Sequence, residues 1–345
     1  MERELNKSYA ICLCISPYAL LLYMLVAEED KAKNETLYVL GKGISRIVCD
    51  RLSGIYLETI NGNSLKDKAK RFLSKLQMRG FWRRQGIDVR NHEIFAQDHA
   101  VLSILLRDVN YKLLSDGPKY FSINMQEDST EYRRLLAKRN SLEGKLARLF
   151  YGNVAVSPFG DNVQCTDVYL TEEDSSPVLR NKILHVHSFQ ELWNGSSEEK
   201  RSFINSVFDV SLEDVSFLNR KSVIFFSQPL VADGILSESD YMELLKRIFS
   251  RYDHERLLIK THPRDKYDYR TLFPEVEVYE KSVNVQLLVL NGLKVERVAT
   301  IFSSSVDAFP ESVEVDWFAN AHPVTKAYCG GTLKPHRKFN DILSV

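Results

Sequence analysis

Twenty residues without a charge, SYAICLCISPYALLLYMLVA, lie between Lys7 and Glu28, and what they become constrains the whole chain. A run of this length can span a bilayer or form the apolar part of a secretion signal. Three features point elsewhere. Met1–Lys7 carries two acids, Glu2 and Glu4, against two bases, which is a poor leader for a signal. Ser16-Pro17 divides the run into eight and ten residues, each too short to cross a membrane. Ser16 is also a good N-cap and Pro17 a good first helical residue. The expectation is a buried strand over Tyr9–Ile15, a helix over Pro17–Glu29 and a second strand over Thr36–Gly41, a soluble β-α-β start.

The same rhythm continues. Strands are expected at Gly54–Thr59, Glu93–Ala96 and Tyr111–Leu114. Helices are expected at Leu65–Leu76 and at His99–Arg107, with Asp98 as the cap of the latter. One polar, arginine-rich helix should run from about Ser129 to Phe150. Residues 151–200, with the stretches EEDSSP and NGSSEEK, read as irregular, as where one domain hands over to another. Alternation then restarts with strands at Ser222–Ser227, Leu257–Lys260, Val276–Tyr279 and Arg297–Phe302. Helices fall at Ser239–Arg251 and Val285–Asn291. Two successive βα arrays predict an α/β protein of two doubly wound, Rossmann-like domains facing a central cleft. At 345 residues the chain is long enough for two cores. The expected division is 1–177, 178–318 and a C-terminal segment 319–345 that crosses back to the first domain.

Open α/β sheets bind ligands at the carboxyl ends of their strands, and polar residues gather there. The first half offers Ser16-Pro17, Gln97-Asp98-His99 and Ser115-Asp116-Gly117. The second offers Ser227-Gln228-Pro229, Lys260-Thr261-His262-Pro263 and Ser303-Ser304-Ser305. Asp116, followed by a glycine that lets the backbone turn, is a candidate general base for a hydroxyl proton. His262, two residues beyond Lys260, suits a phosphate leaving group. The three serines offer hydroxyls and backbone N–H groups to the same phosphate. Each feature also has a plain structural reading: an Asp-Gly turn, a strand-ending His-Pro, a serine cap. No HxxxH, DxD or carboxylate cluster marks a metal site, and no GxGxxG or GxxxxGK[ST] marks a dinucleotide or P-loop site. Lys plus Arg equals Asp plus Glu, 46 against 46, so binding to nucleic acid through an excess of positive charge loses its basis.

Ser115-Asp116-Gly117, His262-Pro263-Arg264 and Ser303-Ser304-Ser305, the last starting 41 residues after His262, resemble motifs of the bacterial two-domain sialyltransferases, especially glycosyltransferase family 52. The opening Ser16-Pro17-Tyr18 is similar to that family's Thr-Pro-Leu-Gln. Ser115 stands where the family carries an acid, and Tyr18-Ala19 replaces Leu-Gln. The resemblance implies a GT-B fold and inverting, metal-independent transfer of sialic acid from CMP-sialic acid to a sugar hydroxyl of a lipooligosaccharide or capsular glycan. No cofactor is expected. By the same resemblance Asp116 is the general base and His262 assists departure of CMP. Ser303 and Ser304 hold the phosphate, Glu280 grips the ribose, Lys260 lies beside the nucleotide, and Pro263 and Ser305 are further candidates for donor binding. Ser16, Gln97, Asp98, His99 and Gly117 are candidates for the acceptor site. Alternatives are a polysialyltransferase, a GT-B enzyme using a nucleoside diphosphate sugar, and a non-catalytic nucleotide- or sugar-binding protein.

The five cysteines read as buried thiols of a reducing bacterial cytoplasm, with Cys12 and Cys14 on one face of the first strand. From Lys66 to Arg90 nine Lys and Arg face only two acids, interleaved with Phe72, Phe81 and Trp82. This segment reads equally as a peripheral contact with an anionic membrane or glycolipid, or as a solvated face over the sheet. A homodimer is left open.

Overall fold

The computed structural model describes residues 9–58, 74, 77, 78, 80–99, 101–125, 130–330 and 334–343. The chain divides into two compact units, Met1–Val207 and Phe208–Val345. The first holds a parallel sheet of β1 (Ala10–Cys14), β2 (Thr36–Gly41), β3 (Ile55–Leu57), β4 (Glu93–Ala96), β5 (Tyr111–Leu114), β6 (Cys165–Leu170) and β7 (Ile183–Val186). Its strand order is β3-β2-β1-β4-β5-β6-β7. The second unit holds β8 (Val223–Phe226), β9 (Leu257–Lys260), β10 (Glu277–Tyr279), β11 (Arg297–Thr300), β12 (Glu314–Trp317) and β13 (Asn340–Asp341), ordered β10-β9-β8-β11-β12-β13. Both sheets wind outward from a central pair, β1/β4 in one and β8/β11 in the other. Each therefore has a topological switch point where loops part and a crevice opens.

The uncharged N-terminal run becomes β1, buried at every residue, followed by α1 (Pro17–Val26). A parallel strand covered on both faces has no polar side to show, which is why AICLC reads as a continuous apolar run. Ser16 caps α1 by accepting from Ala19 N, and residues 19–25 are all buried. The helix stops at Val26, short of the expected Glu29. There the Lys200 ammonium donates to Leu25 O (2.7 Å) and Ala27 O (2.6 Å), satisfying carbonyls the helix end leaves open. Cys12 and Cys14 lie 3.4 Å apart through their sulfurs on one face of β1, and all five cysteines are buried thiols outside any disulfide.

Residues 151–200 are more regular than their composition predicts. They supply β6 and β7, and β7 pairs in parallel with β6. β7 is an exposed edge strand, with Ile183 and Leu184 turned to solvent, so it lacks the burial pattern that marks a strand in sequence. The hand-over expected at 177/178 thus falls thirty residues before the observed division at 207/208. The single helix expected from Ser129 to Phe150 is two, α2 (Thr130–Asn140) and α3 (Leu142–Tyr151), because Ser141 is extended and caps α3 at Gly144 N. Residues 319–345 were expected to return to the first domain. Their described part adds β13 to the edge of the second sheet, where Arg337 donates to Phe309 O at 2.6 Å.

The expected helix at Leu65–Leu76 lies outside the described residues except for Ser74, as does much of Lys66–Arg90. In the described part of that segment, Met78 and Phe81 belong to the first core and Trp82 packs against it, donating Nε1 to Leu105 O at 2.8 Å. Those apolar groups serve the core, while Arg83, Arg84 and Arg90 point to solvent.

Two contacts set the end of β1. From the β4 side, Gln97 Oε1 accepts from Ile15 N (2.7 Å) and Ser16 N (3.2 Å), and its Nε2 donates to Ser16 Oγ (3.2 Å). From the β2 side, Gly43 approaches so closely that a Cβ there would sit 1.9 Å from Ile15 O. We expect Gly43→Ala to cost about 1–3 kcal/mol in urea unfolding, the range for overpacking a site that must shift. An unchanged midpoint would mean that this turn yields freely.

Candidate active site

In the first unit, β4 and β5 pair with Ala96 opposite Leu113. Three residues further along each chain, His99 and Asp116 meet, with Nε2 3.6 Å from Oδ2 and side chains 15% and 23% exposed. His99 is held from below. Its ring stacks on Phe159, centroids 5.4 Å apart and planes within 6°, and tilts against Tyr120. Phe159 has φ +60°, a left-handed conformation that costs a non-glycine residue about 1–2 kcal/mol. Asp98 maintains it. The Asp98 carboxylate accepts from Phe159 N (2.8 Å), Gly160 N (2.9 Å) and the Tyr111 hydroxyl (2.8 Å).

Asp98 is therefore neither the expected helix cap nor an acceptor contact on the surface. It is an internal anchor, 1% exposed, and the segment after it is a 3-10 turn over Val101–Leu106. Burial pushes its carboxyl above the ordinary range, partly offset by those donors. Gln97 is likewise buried and spends its amide on the β1 turn. Ser16 serves as the α1 cap.

Asp116 itself follows Ser115, whose hydroxyl closes the turn by donating to Gly117 O at 2.7 Å. Gly117 is not in a left-handed conformation, and a Cβ added there meets nothing within 4 Å. The sharp bend expected at the glycine falls instead at Lys119, φ +47°. Beyond it, Asp174 from the loop after β6 accepts from Phe121 N (2.9 Å) and Ser122 N (3.1 Å), fixing the far end of the loop.

In the second unit three strand ends come together around Ser227 and Gln228. Ser227 Oγ accepts from His262 N (3.0 Å) and donates to Asp265 (2.6 Å), which also takes a hydrogen bond from the Tyr269 hydroxyl (2.8 Å). Gln228 Oε1 accepts from Phe302 N (2.7 Å), pinning the turn after β11 across the switch point. These four side chains escaped the sequence-level assignment of roles. The register Phe226↔Lys260 and Phe226↔Thr300 holds their signal, since one or two further steps bring Ser227-Gln228 beside the His262 and Phe302 turns.

His262 is half-buried. Its Nδ1 accepts from Arg264 N at 3.1 Å, which assigns the ring proton of the neutral form to Nε2. Burial, followed by the nearby Arg264 guanidinium, lowers its pKa. The neutral ring still presents an N–H donor. Lys260 is 5% exposed, and burial alone pushes its ammonium down to about 8. Among the described residues no carboxylate or hydrogen-bond acceptor meets Nζ; the Tyr279 ring lies 5.9 Å away. In the serine turn, Ser303 Oγ accepts from Ser305 N (3.3 Å) and donates to Ser305 Oγ (3.1 Å), leaving Ser304 as the exposed member. Pro263, in the turn after β9, is exposed. Glu280 directly follows β10, 57% exposed and paired with Arg270 at 3.2 Å. Among the described residues no group of three or more His, Cys, Asp or Glu is placed to hold a metal ion.

A buried ammonium without a counter-charge destabilises the fold that contains it. The fall from 10.5 to about 8 corresponds to about 3 kcal/mol. Below about pH 8 that cost is present in full. Between about 8 and 10.5 the folded chain binds fewer protons than the unfolded one, so stability rises with pH. We expect Lys260→Met to be more stable than the parent at pH 7 by about 1–3 kcal/mol and to lack this rise in urea unfolding. Identical pH profiles for the two proteins would contradict the assignment.

The pattern of Glycosyltransferase family 52 matches residues 65–317. A relative described as an uncharacterized protein of Haemophilus influenzae is 25% identical over 314 residues, spanning 90% of this chain and 94% of that one. Among solved structures, the 2,6-sialyltransferase of Photobacterium sp. JT-ISH-224, crystallised with CMP and lactose, superposes with a TM-score of 0.60 at 13% identity, over 96% of this chain and 78% of that chain. A sialyltransferase from Photobacterium damsela gives 0.52 at 13% identity, over 97% and 82%. The α/β-galactoside α-2,3-sialyltransferase of Photobacterium phosphoreum gives 0.50 at 9% identity, over 97% and 99%. At such identities the likeness is one of fold, and the fold is GT-B, as the sequence motifs imply. With most of its length matched by the family pattern, the chain belongs to glycosyltransferase family 52.

Proposed function

We propose that this protein is an inverting sialyltransferase that moves sialic acid from CMP-sialic acid to a hydroxyl of a bacterial lipooligosaccharide or capsular glycan. One observation carries the donor half of the proposal. Lys260, buried and without a carboxylate partner, stands two residues from His262 at the carboxyl end of β9. A cation kept in that state at a cost in stability is a receptor for an anion, and the phosphate of a nucleoside monophosphate supplies one. Family membership and the CMP found in the Photobacterium sp. JT-ISH-224 enzyme support the same class of donor.

In this mechanism Asp116 accepts the proton of the acceptor hydroxyl as its oxygen attacks the anomeric carbon of sialic acid. The bond from that carbon to the phosphate oxygen breaks, and its electron pair leaves with CMP. The transition state is oxocarbenium-like, so the larger demand is stabilisation of charge on the departing phosphate. His262 meets it through Nε2–H, Lys260 through its ammonium, and Ser303 and Ser304 through hydroxyls. His99, against Asp116, orients that carboxylate and offers a ring nitrogen to the acceptor sugar. Glu280 takes the ribose hydroxyls, exchanging its ion pair with Arg270.

Asp116→Ala and His262→Ala should each lower transfer by about 10²–10⁴-fold, with circular dichroism and melting unchanged. Near-normal transfer by either variant removes that residue from the mechanism. In calorimetry with a chelator present, CMP should bind, and Lys260→Met should weaken it by tenfold or more. Binding of UDP or GDP in its place would refute the donor.

A further inference from the structure

β10 forms an edge of the second sheet, runs for three residues and pairs with β9. A strand with a ladder on one side takes its remaining support from whatever lies beyond the edge. Here that support is one carboxylate. Asp214 belongs to the first turn of α4 (Leu212–Leu218). Its Oδ1 accepts from the Tyr279 hydroxyl (2.8 Å), and its Oδ2 from Lys281 Nζ (2.7 Å), Ser211 N (2.9 Å) and Ser211 Oγ (3.0 Å). Asp209 brings a second carboxylate to the Lys281 ammonium at 3.3 Å. The Asp214 side chain is 12% exposed. Burial works to raise its pKa, but hydrogen bonds from Lys281, Ser211 and Tyr279 outweigh burial and hold the carboxyl below its ordinary range.

The α4 cap draws on Asp214 through the backbone, whose N–H donates to Ser211 Oγ at 3.2 Å. The side chain goes further and reaches the two residues that flank Glu280. In extended backbone, neighbouring side chains leave on opposite sides. With Tyr279 and Lys281 both drawn to Asp214, Glu280 is turned the other way, where it meets Arg270. Tyr279 also reaches inward. It stands opposite Lys260 in the ladder, its carbonyl accepts from Thr261 N at 3.0 Å, and its ring lies 5.9 Å from the Lys260 ammonium. Burial, then the bond to Asp214, raises the Tyr279 phenol, which stays a donor. One carboxylate beyond the sheet edge thus fixes both a wall of the Lys260 site and the direction of Glu280.

We propose that Asp214 is a positioning residue of the donor site. It touches neither substrate nor reacting atoms. Through Tyr279 and Lys281 it holds the turn after β10, so that Glu280 meets the nucleoside while Tyr279 stands against the buried Lys260. The assignment rests on the reading that a nucleotide donor sits at the ends of β9 to β11. Its signature is a loss of donor affinity with the chemical step and the acceptor site left as they are.

Transfer kinetics and calorimetry on the full chain test it. Asp214→Asn keeps the shape of the residue and the α4 cap, and loses the charge that holds Lys281. Lys281→Met breaks the same link from the other end, and serves if the first variant folds poorly. Each should raise the donor KM and the Kd for CMP by about tenfold or more. The kcat and the acceptor KM should stay within about twofold of the parent. The double variant should match the weaker of the two singles, because both break one link. A merely structural role would lower the melting temperature and kcat and leave the donor KM unmoved. An unchanged donor KM, or equal rises in donor and acceptor KM, overturns the proposal. A parent that binds UDP and not CMP overturns the donor reading instead, and the Kd for UDP of the same variants then decides the role of Asp214.

Discussion

Two glutamines, reaching across their switch points from opposite sides, hold the carboxyl ends of the two sheets in shape. Gln97 follows β4 and reaches across the switch point to the backbone after β1; Gln228 follows β8 and reaches across to the backbone after β11. At a switch point neighbouring loops run to opposite faces of the sheet, so backbone N–H groups there lose ladder partners. A side-chain amide oxygen supplies the missing acceptor in each unit. With Gln97 in place the β1 turn is fixed and α1 starts where Ser16 can cap it. With Gln228 in place the serine turn is held against the end of β8, whose other neighbour, β9, carries Lys260. The crevices are polar because the sheet needs polar groups there even before any substrate arrives.

Within that frame the two units handle charge in opposite ways. The first unit buries its carboxylate fully paired: Asp98 takes three donors and converts them into the strained Phe159 turn on which His99 rests. The second unit buries an unpaired cation. Lys260 lacks a counter-ion among the described residues, and burial depresses its ammonium. A group left in deficit by the fold is the one whose energy improves when a ligand of opposite charge binds. Ser227, Asp265 and Tyr269 spend their hydrogen bonds on positioning the His262 turn.

Much of this was legible in the chain, for physical reasons that differ by element. β1, β2, β8, β9 and β11 are buried on both faces and write themselves as apolar runs, and the polar tripeptides after them mark the ligand end. β7 is hidden by its exposure at an edge. β12, EVDW, is hidden by acids: Asp316 is buried in it, held by Arg297 (2.7 Å) and the Tyr252 hydroxyl (2.6 Å), a pairing that composition cannot reveal. The same limit applies to the site. Sequence places Gln97-Asp98-His99 at a strand end but does not say which side chain turns inward; that depends on Phe159, Gly160 and Tyr111, far away in the chain. The His99–Asp116 contact becomes visible only once the β4–β5 register is known.

The central claim is that the β8, β9 and β11 turns form the seat of a nucleotide phosphate. A crystal structure of the chain with CMP tests it most directly. The account predicts phosphate oxygens within hydrogen-bonding distance of His262 Nε2 and of Ser303 or Ser304, with the Lys260 ammonium drawn toward them. A nucleotide seated at the amino ends of the same strands, in the groove lined by Arg220, Lys221 and Lys294, would contradict it.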